Sequence, residues 1–196
     1  MPFLDPVTLR GRLVTLEPLS QDHCDELEDA VRDGELWRLW YTAVPRPEGM
    51  GAEIARRLAL QEAGSMLPFA ARRASDGRVI GMTTYMNADP ANRRVEVGST
   101  WNAASAQGSG TNAESKLLLL RHAFETLGCI AVEFRTHWMN RQSRAAIERL
   151  GAKQDGVLRS HQLMPDGSLR DTVVYSVVAS EWPMVRNGLG LRLAHQ

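Results

Sequence analysis

Apolar and polar side chains alternate along residues 12–19 (Arg-Leu-Val-Thr-Leu-Glu-Pro-Leu), and the run ends at a proline, as a half-buried strand does. Ser20 then caps a helix predicted to reach about Asp33, with Cys24, Leu27 and Val31 at helical spacing and Gly34 as its stop. An aromatic stretch (Trp37, Trp40, Tyr41) and a loop holding Pro45 and Pro47 lead to a second helix over 49–63, with Ile54, Leu58 and Leu60 apolar and Gly64 as terminator. Residues 66–73 and 78–87 read as a hairpin around Ser75-Asp76-Gly77, where glycine supplies the positive φ of the turn. A loop with Asp89-Pro90 precedes a strand at 94–101. After a nearly charge-free loop, a helix is predicted from Thr111 to Leu127, with Leu117, Leu118, Leu120, Phe124 and Leu127 mostly on one face and Gly128 at its end. Strand 129–137, a short helix 141–150 closed by Gly151, and a second hairpin (155–164 and 170–178, around Pro165-Asp166-Gly167) follow. From Ser180 the tail predicts a short final helix and a frayed end.

The order β-α-α-β-β-β-α-β-α-β-β describes an α/β domain with a mixed sheet, no linker and no repeat. Its one parallel crossover runs from strand 94–101 through helix 111–127 to strand 129–137, and open sheets gather ligands at the carboxyl ends of such strands. The 196 residues suit a single domain, 1–196, with a core over about 9–180.

Composition narrows the class. A chain 43% hydrophobic and 23% charged is an ordinary globular protein. Its 23 basic and 23 acidic residues cancel, which argues against nucleic acid or a membrane surface as partner. The balance is uneven along the chain: 12 basic against 15 acidic residues up to residue 100, and 11 against 8 after it. An anionic ligand suits the second half and a cationic one the first. With no charged-then-apolar leader and no apolar run of the ~20 residues a membrane span needs, a cytoplasmic location is expected. Cys24 and Cys129 lack metal-site spacing, so no metal is expected and both are read as free thiols.

The loop from Asn102 to Lys116 carries Gly108 and Gly110 at a helix entrance, where bare backbone N–H groups and the helix dipole favour an anion. The ordinary alternative is that Gly-Ser-Gly only turns the chain. A P-loop is excluded, because no glycine precedes Lys116 in the required register. Gly108, Gly110 and Ala113 match a dinucleotide G-x-G-x-x-A string, but after a meander rather than at the start of the fold, and the following strand ends in Thr136-His137 without an acidic ribose ligand.

Both the element order and this loop resemble the GNAT N-acetyltransferase superfamily. Glu96–Trp101 and the Asn-x-x-Ser…Glu-x-Leu-Gly-Ala pattern from Asn140 to Ala152 resemble its branch of RimJ/RimL-like ribosomal-protein alanine/serine N-acetyltransferases. The likeness spans about residues 9–180. It implies a mostly antiparallel sheet of about six to seven strands flanked by helices and splayed between the fourth and fifth strands. It also implies acetyl-CoA or coenzyme A on the amides of Gln107, Gly108, Ser109, Gly110, Thr111 and Asn112, with pantetheine along Ser99, Thr100 and Trp101, and Asn140 and Ser143 beside it. Freed N–H groups near Ser99 to Trp101 would serve as oxyanion-type donors. Asn140 has the alternative of capping the next helix, and Ser143 of being a solvated helix residue.

Two positions depart from the family pattern. Ser105 stands where Gln or Arg is usual, with Gln107 or Arg144 as substitutes, and Ile147 stands where many members have the tyrosine that protonates the leaving thiolate. Ser143, or water, is then the candidate acid. Glu96 is the candidate base, if burial raises its pKa, with a structural carboxylate as the alternative. His137 is a weaker base candidate, Cys129 lacks an activating histidine, and His23, His122 and His195 read as ordinary polar positions. Trp37, Trp40, Tyr41 and His161, with Asp33 and Glu35 nearby, would line an acceptor pocket suited to an ammonium or a peptide N-terminus, with packing of the helix linker as the alternative for Trp37 and Trp40. The expected function is acetyl transfer to a primary amine, a protein N-terminus or a small molecule, by direct attack in a ternary complex. Two alternatives stay open, a CoA-binding sensor of the same fold and an NAD(P)-binding oxidoreductase. Acceptor, acyl group and oligomeric state, including a homodimer, are left open.

Overall fold

The computed structural model describes residues 3–195, so Met1, Pro2 and Gln196 of the expected domain lie outside the described residues. One sheet of eight strands runs in the order β1-β2-β3-β4-β5-β6-β8-β7. The strands are β1 (Leu9–Arg10), β2 (Val14–Pro18), β3 (Met66–Arg73), β4 (Val79–Asp89), β5 (Arg94–Asn102), β6 (Ala131–His137), β7 (Lys153–Leu163) and β8 (Leu169–Val178). The helices are α1 (Cys24–Arg32), α2 (Met50–Glu62), α3 (Thr111–Arg121), α4 (Arg141–Glu148) and α5 (Trp182–Ala194).

The eighth strand corrects the expected six to seven. β1 is two residues long, held by Leu9 opposite Leu16 and Arg10 opposite Thr15, and is too short to show alternation. The tail is also more than a short frayed helix: α5 has thirteen residues and buries Trp182, Val185, Leu189 and Leu193 against α3. The predicted helix 111–127 is α-helical only to Arg121 and widens into a π-helical turn, His122–Thr126, before Gly128.

Each face of the sheet carries its own core. On one, α1 and α2 cover β3 and β4, with Leu27, Val31, Met50, Ile54, Met82 and Trp101 buried together. On the other, α3, α4 and α5 close over Leu16, Phe69, Tyr85, Val97, Leu119, Phe134 and Val177. Burial on both faces is why Met66–Ala71 and Val79–Tyr85 read as nearly unbroken buried runs. It is also why α3 is buried all round from Ala113 to Leu120, polar Glu114, Ser115 and Lys116 included, instead of on a single stripe.

The parallel contact between β5 and β6 is short. Arg94, Val95 and Glu96 pair with Ala131, Val132 and Glu133, and there the pairing ends although β5 continues to Asn102 and β6 to His137. The expected splay between the fourth and fifth predicted strands is this divergence. Every other neighbouring pair is antiparallel.

Candidate active site

A cleft of about 520 Å³ opens where β5 and β6 part. Its lining includes Ser99, Thr100, Trp101, Gln107, Gly108 and Asn112 on one flank and Asn140, Ser143 and Ile147 of α4 on the other. Glu96, Tyr41 and His161 line it as well.

The loop entering α3 is held from below by the end of α1. The Asp33 carbonyl accepts the Ala104 N–H (2.9 Å), and the Asp33 carboxylate accepts that of Ser105 (3.2 Å). Asp33 therefore staples the loop instead of facing an acceptor, and Glu35 pairs with Arg38. Gly108 (φ 76°) and Gly110 (φ 85°, the residue before α3) take left-handed conformations that side chains resist. Gln107 and Ser109 donate their N–H groups within the loop, to Ala104 and Ala106. The Ser109 hydroxyl donates to the Ala106 carbonyl (2.6 Å), as does that of Thr111 (3.3 Å). Asn112 accepts from Asn102 (3.5 Å). Of the expected anion-binding amides, those of Thr111 and Asn112 open α3 with no carbonyl one turn earlier to bind.

β5 carries a bulge against β4: Gly98 pairs with Thr84 and Trp101 with Met82, so Ser99 and Thr100 together oppose Thr83. Ser99 has φ 46°. Gly81 faces the far end of the bulge, where an added Cβ would collide with the Trp101 carbonyl. Two buried basic side chains grip the bulge from opposite faces of the sheet. From α2, Arg57, only 2% exposed, donates to Thr84 Oγ1 (2.6 Å) and through both Nη groups to the Ser99 carbonyl (3.3 Å each), while Glu53 takes its Nε (2.7 Å). A trans peptide points its N–H opposite its carbonyl, so this grip turns the Thr100 N–H away from Arg57. From α3, the Lys116 Nζ donates to Thr83 Oγ1 (3.0 Å) and Thr100 Oγ1 (2.8 Å). Lys116 lines the cleft and has no carboxylate partner among the described residues, and burial pulls its pKa down to about 7. Trp101 also lines the cleft, and its buried indole Nε1 has no hydrogen-bond partner among the described residues.

Glu96, 6% exposed, accepts from Asn87 Nδ2 (2.7 Å) and lies 3.5 Å from Arg135 Nε. Burial raises its pKa and Glu133 adds to the rise, while the Asn87 hydrogen bond and the charges of Arg135 and Arg170 oppose it. His137 lines the cleft too, but its Nδ1 accepts the Met139 N–H (3.0 Å), which puts the ring proton on Nε2 and leaves no free lone pair for a base. Asn140 caps α4, its Oδ1 accepting the Ser143 N–H (2.9 Å), while its side-chain amide NH2 stays uncommitted.

Six expected residues are absent from the cleft lining: Ser109, Gly110 and Thr111 of the loop, and Arg144, Trp37 and Trp40. Arg144 is drawn off to Tyr175 Oη (3.2 Å), to the Trp138 carbonyl (3.3 Å) and over the Trp138 ring (4.2 Å). Trp37 packs into the α1/α2 core, and Trp40, 56% exposed, stands edge-on to Tyr41 and His137. Cys129 is buried, its thiol pushed up to about 11, consistent with an inert role. Sequence reasoning missed Arg57, Lys116, Asn87, Arg135 and Arg170. A lysine inside the Leu-rich run 113–120 is the one signal among them legible in one dimension. No cluster of metal-ligating side chains occurs among the described residues.

Residues 13–153 match the acetyltransferase (GNAT) domain family. A Bacillus subtilis (strain 168) protein named "Putative ribosomal N-acetyltransferase YdaF" is 35% identical over 107 residues, which is 55% of this chain and only 57% of that relative. The crystal structure of a GCN5-related N-acetyltransferase from Brucella melitensis has a TM-score of 0.86 and 29% identity over 97% of this chain and 86% of that one. Mycobacterium smegmatis RimJ, solved with CoA-disulfide, shares the fold at 22% identity, with a TM-score of 0.81 over 95% of both chains. The dinucleotide alternative loses its footing, because its glycines follow a strand of a sheet whose single parallel contact is the short β5–β6 one. With the splayed strands, the glycine loop at α3 and the family match covering most of its length, this chain belongs to the GNAT acetyltransferase family.

Proposed function

We propose that the chain transfers an acetyl group from acetyl-CoA to a primary amine by direct attack, without an acyl-enzyme. The observation that carries this reading is the cleft itself, which runs between the diverging β5 and β6 from the α3 loop to the buried carboxylate of Glu96. The residues present fit such a cosubstrate: amides at the start of α3 suit its phosphates, and the orphaned Trp101 indole donor and uncommitted Asn140 amide suit a polar chain. The CoA-disulfide in the RimJ relative supports the same choice.

In this reading Thr100 N–H, turned by Arg57, donates to the thioester carbonyl as charge develops there. Glu96, whose pKa burial raises and so makes a stronger base when ionised, takes the amine proton as the carboxylate, directly or through water, as the carbon–nitrogen bond forms and the carbon–sulfur bond breaks. The thiolate, a good leaving group, departs as the anion and takes its proton from solvent water, which Ser143, whose hydroxyl makes no hydrogen bond among the described residues, can relay by taking one proton as it gives another, where Ile147 replaces the usual tyrosine. Free Cys24 and Cys129 suit a reducing compartment, in keeping with a cytoplasmic enzyme. The test is thermal melting with acetyl-CoA, CoA and NADP, followed by thiol release with a panel of amines. Protection by the CoA species and amine-dependent thiol release are expected. Protection by NADP alone refutes the reading, and CoA binding without any amine-dependent release reduces the protein to a sensor.

A further inference from the structure

The charges around the cleft point to the acceptor's chemistry. Glu96 is the one carboxylate lining it among the described residues, against Arg135, Arg149 and Arg170, with Lys116 there too but its charge disfavoured by burial. Arg135 is committed to Glu133 (2.9 Å) and Glu96, Lys116 to two threonines, and Arg149 is exposed at the end of α4. Arg170 on β8 differs. Its Nε donates to Thr172 Oγ1 (3.0 Å), which also meets His161 Nδ1 (3.1 Å), so the guanidinium is oriented while neither Nη group has a partner among the described residues. The neighbouring carboxylate, Asp171, is taken by Arg159 (2.6 Å) and the Ser160 N–H (2.7 Å). Arg170 is half-buried, lines the cleft and lies in electrostatic reach of Glu96 and His137.

A fixed guanidinium with its two-pronged face free suits a carboxylate or phosphonate, and a bare ammonium would be repelled by these cations. We propose that the acceptor is an amine carrying its own anionic group, amino-acid-like in spacing, with that group on the Nη pair of Arg170 and the amine facing Glu96. The proposal rests on the N-acyltransferase reading.

The test compares matched acceptors: α-, β- and ω-amino acids and aminoalkylphosphonates, each beside its methyl ester or amide, followed by thiol release with acetyl-CoA. The anionic member should exceed its neutral partner at least tenfold in kcat/KM, the carboxylate and phosphonate arms telling the two anions apart. Arg170→Met should bring that ratio close to one without changing acetyl-CoA affinity, and Arg170→Lys, which keeps charge but loses the fork, should retain part of it. The proposal is overturned if neutral partners are used as well or better, if the preference survives in Arg170→Met, or if acetyl-CoA binds and no anionic amine is acetylated. Failure of acetyl-CoA to bind would instead overturn the acyltransferase reading, and this proposal with it.

Discussion

Replacing Lys116 with Met keeps the length of the side chain and leaves Thr83 and Thr100, already 2.8 Å apart, hydrogen-bonded to each other. What disappears is an ammonium whose pKa burial lowers from 10.5 to about 7. A lysine so shifted is protonated in the unfolded chain and largely neutral in the folded one across that window. Folding then releases a proton, so stability rises with pH between 7 and 10.5 and is lost as pH falls through the folded value. At 1.36 kcal/mol per pH unit and allowing for partial protonation at the lower end, the gain between pH 7 and 9 is about 2 kcal/mol. Urea unfolding of both proteins, followed by tryptophan fluorescence across that range, isolates the effect because other groups titrate in both. Lys116→Met should be the more stable at pH 7, and its advantage should shrink by about 2 kcal/mol by pH 9. An advantage constant within about 0.5 kcal/mol would refute the idea that a desolvated amine sits beneath the bulge.

Other outcomes follow from the same geometry. The raised pKa of Glu96 means that wild-type stability, relative to Glu96→Gln, falls as pH rises through the folded value, so the variant should gain at pH 7 and lose that gain in acid. The acid limb of the wild-type pH–rate profile should vanish in the same variant, with kcat down about 10²–10⁴-fold. Asn140→Ala removes the α4 cap and should cost about 1 kcal/mol in urea unfolding, with weaker acetyl-CoA binding by calorimetry. Glu114, deep in α3, accepts the N–H groups of Arg12, Leu13 and Val14 (3.0, 2.6 and 2.9 Å), and Glu114→Ala should destabilise by about 3 kcal/mol or more in the same assay.

Period and punctuation made the elements readable. Gly34, Gly64, Gly128 and Gly151 each end a helix near its observed stop, and Asp76-Gly77 and Asp166-Gly167 turn the two hairpins. The glycine loop was visible because Gly108 and Gly110 take left-handed conformations that side chains resist. The two-residue β1 and the buried sides of α3 were not, since neither a short pairing nor all-round burial leaves a period. Roles set by distant partners were equally hidden. Asp33 looked like an acceptor carboxylate but binds Ser105, and Arg144 looked like a phosphate ligand but stacks on Trp138. The charge split is informative in part. The four basic residues of the cleft all come from the second half, whereas Glu17, Glu26, Glu28, Asp29 and Glu53 of the acidic half spend their charge on arginines and on His23.

The most direct measurement is a crystal structure of the protein soaked with acetyl-CoA. Phosphates on the amides of Gly110 to Asn112, pantetheine between β5 and β6, and the thioester carbonyl on Thr100 N–H within reach of Glu96 are the expected result. A cosubstrate bound elsewhere, or a thioester whose carbonyl faces away from the bulge, would contradict it.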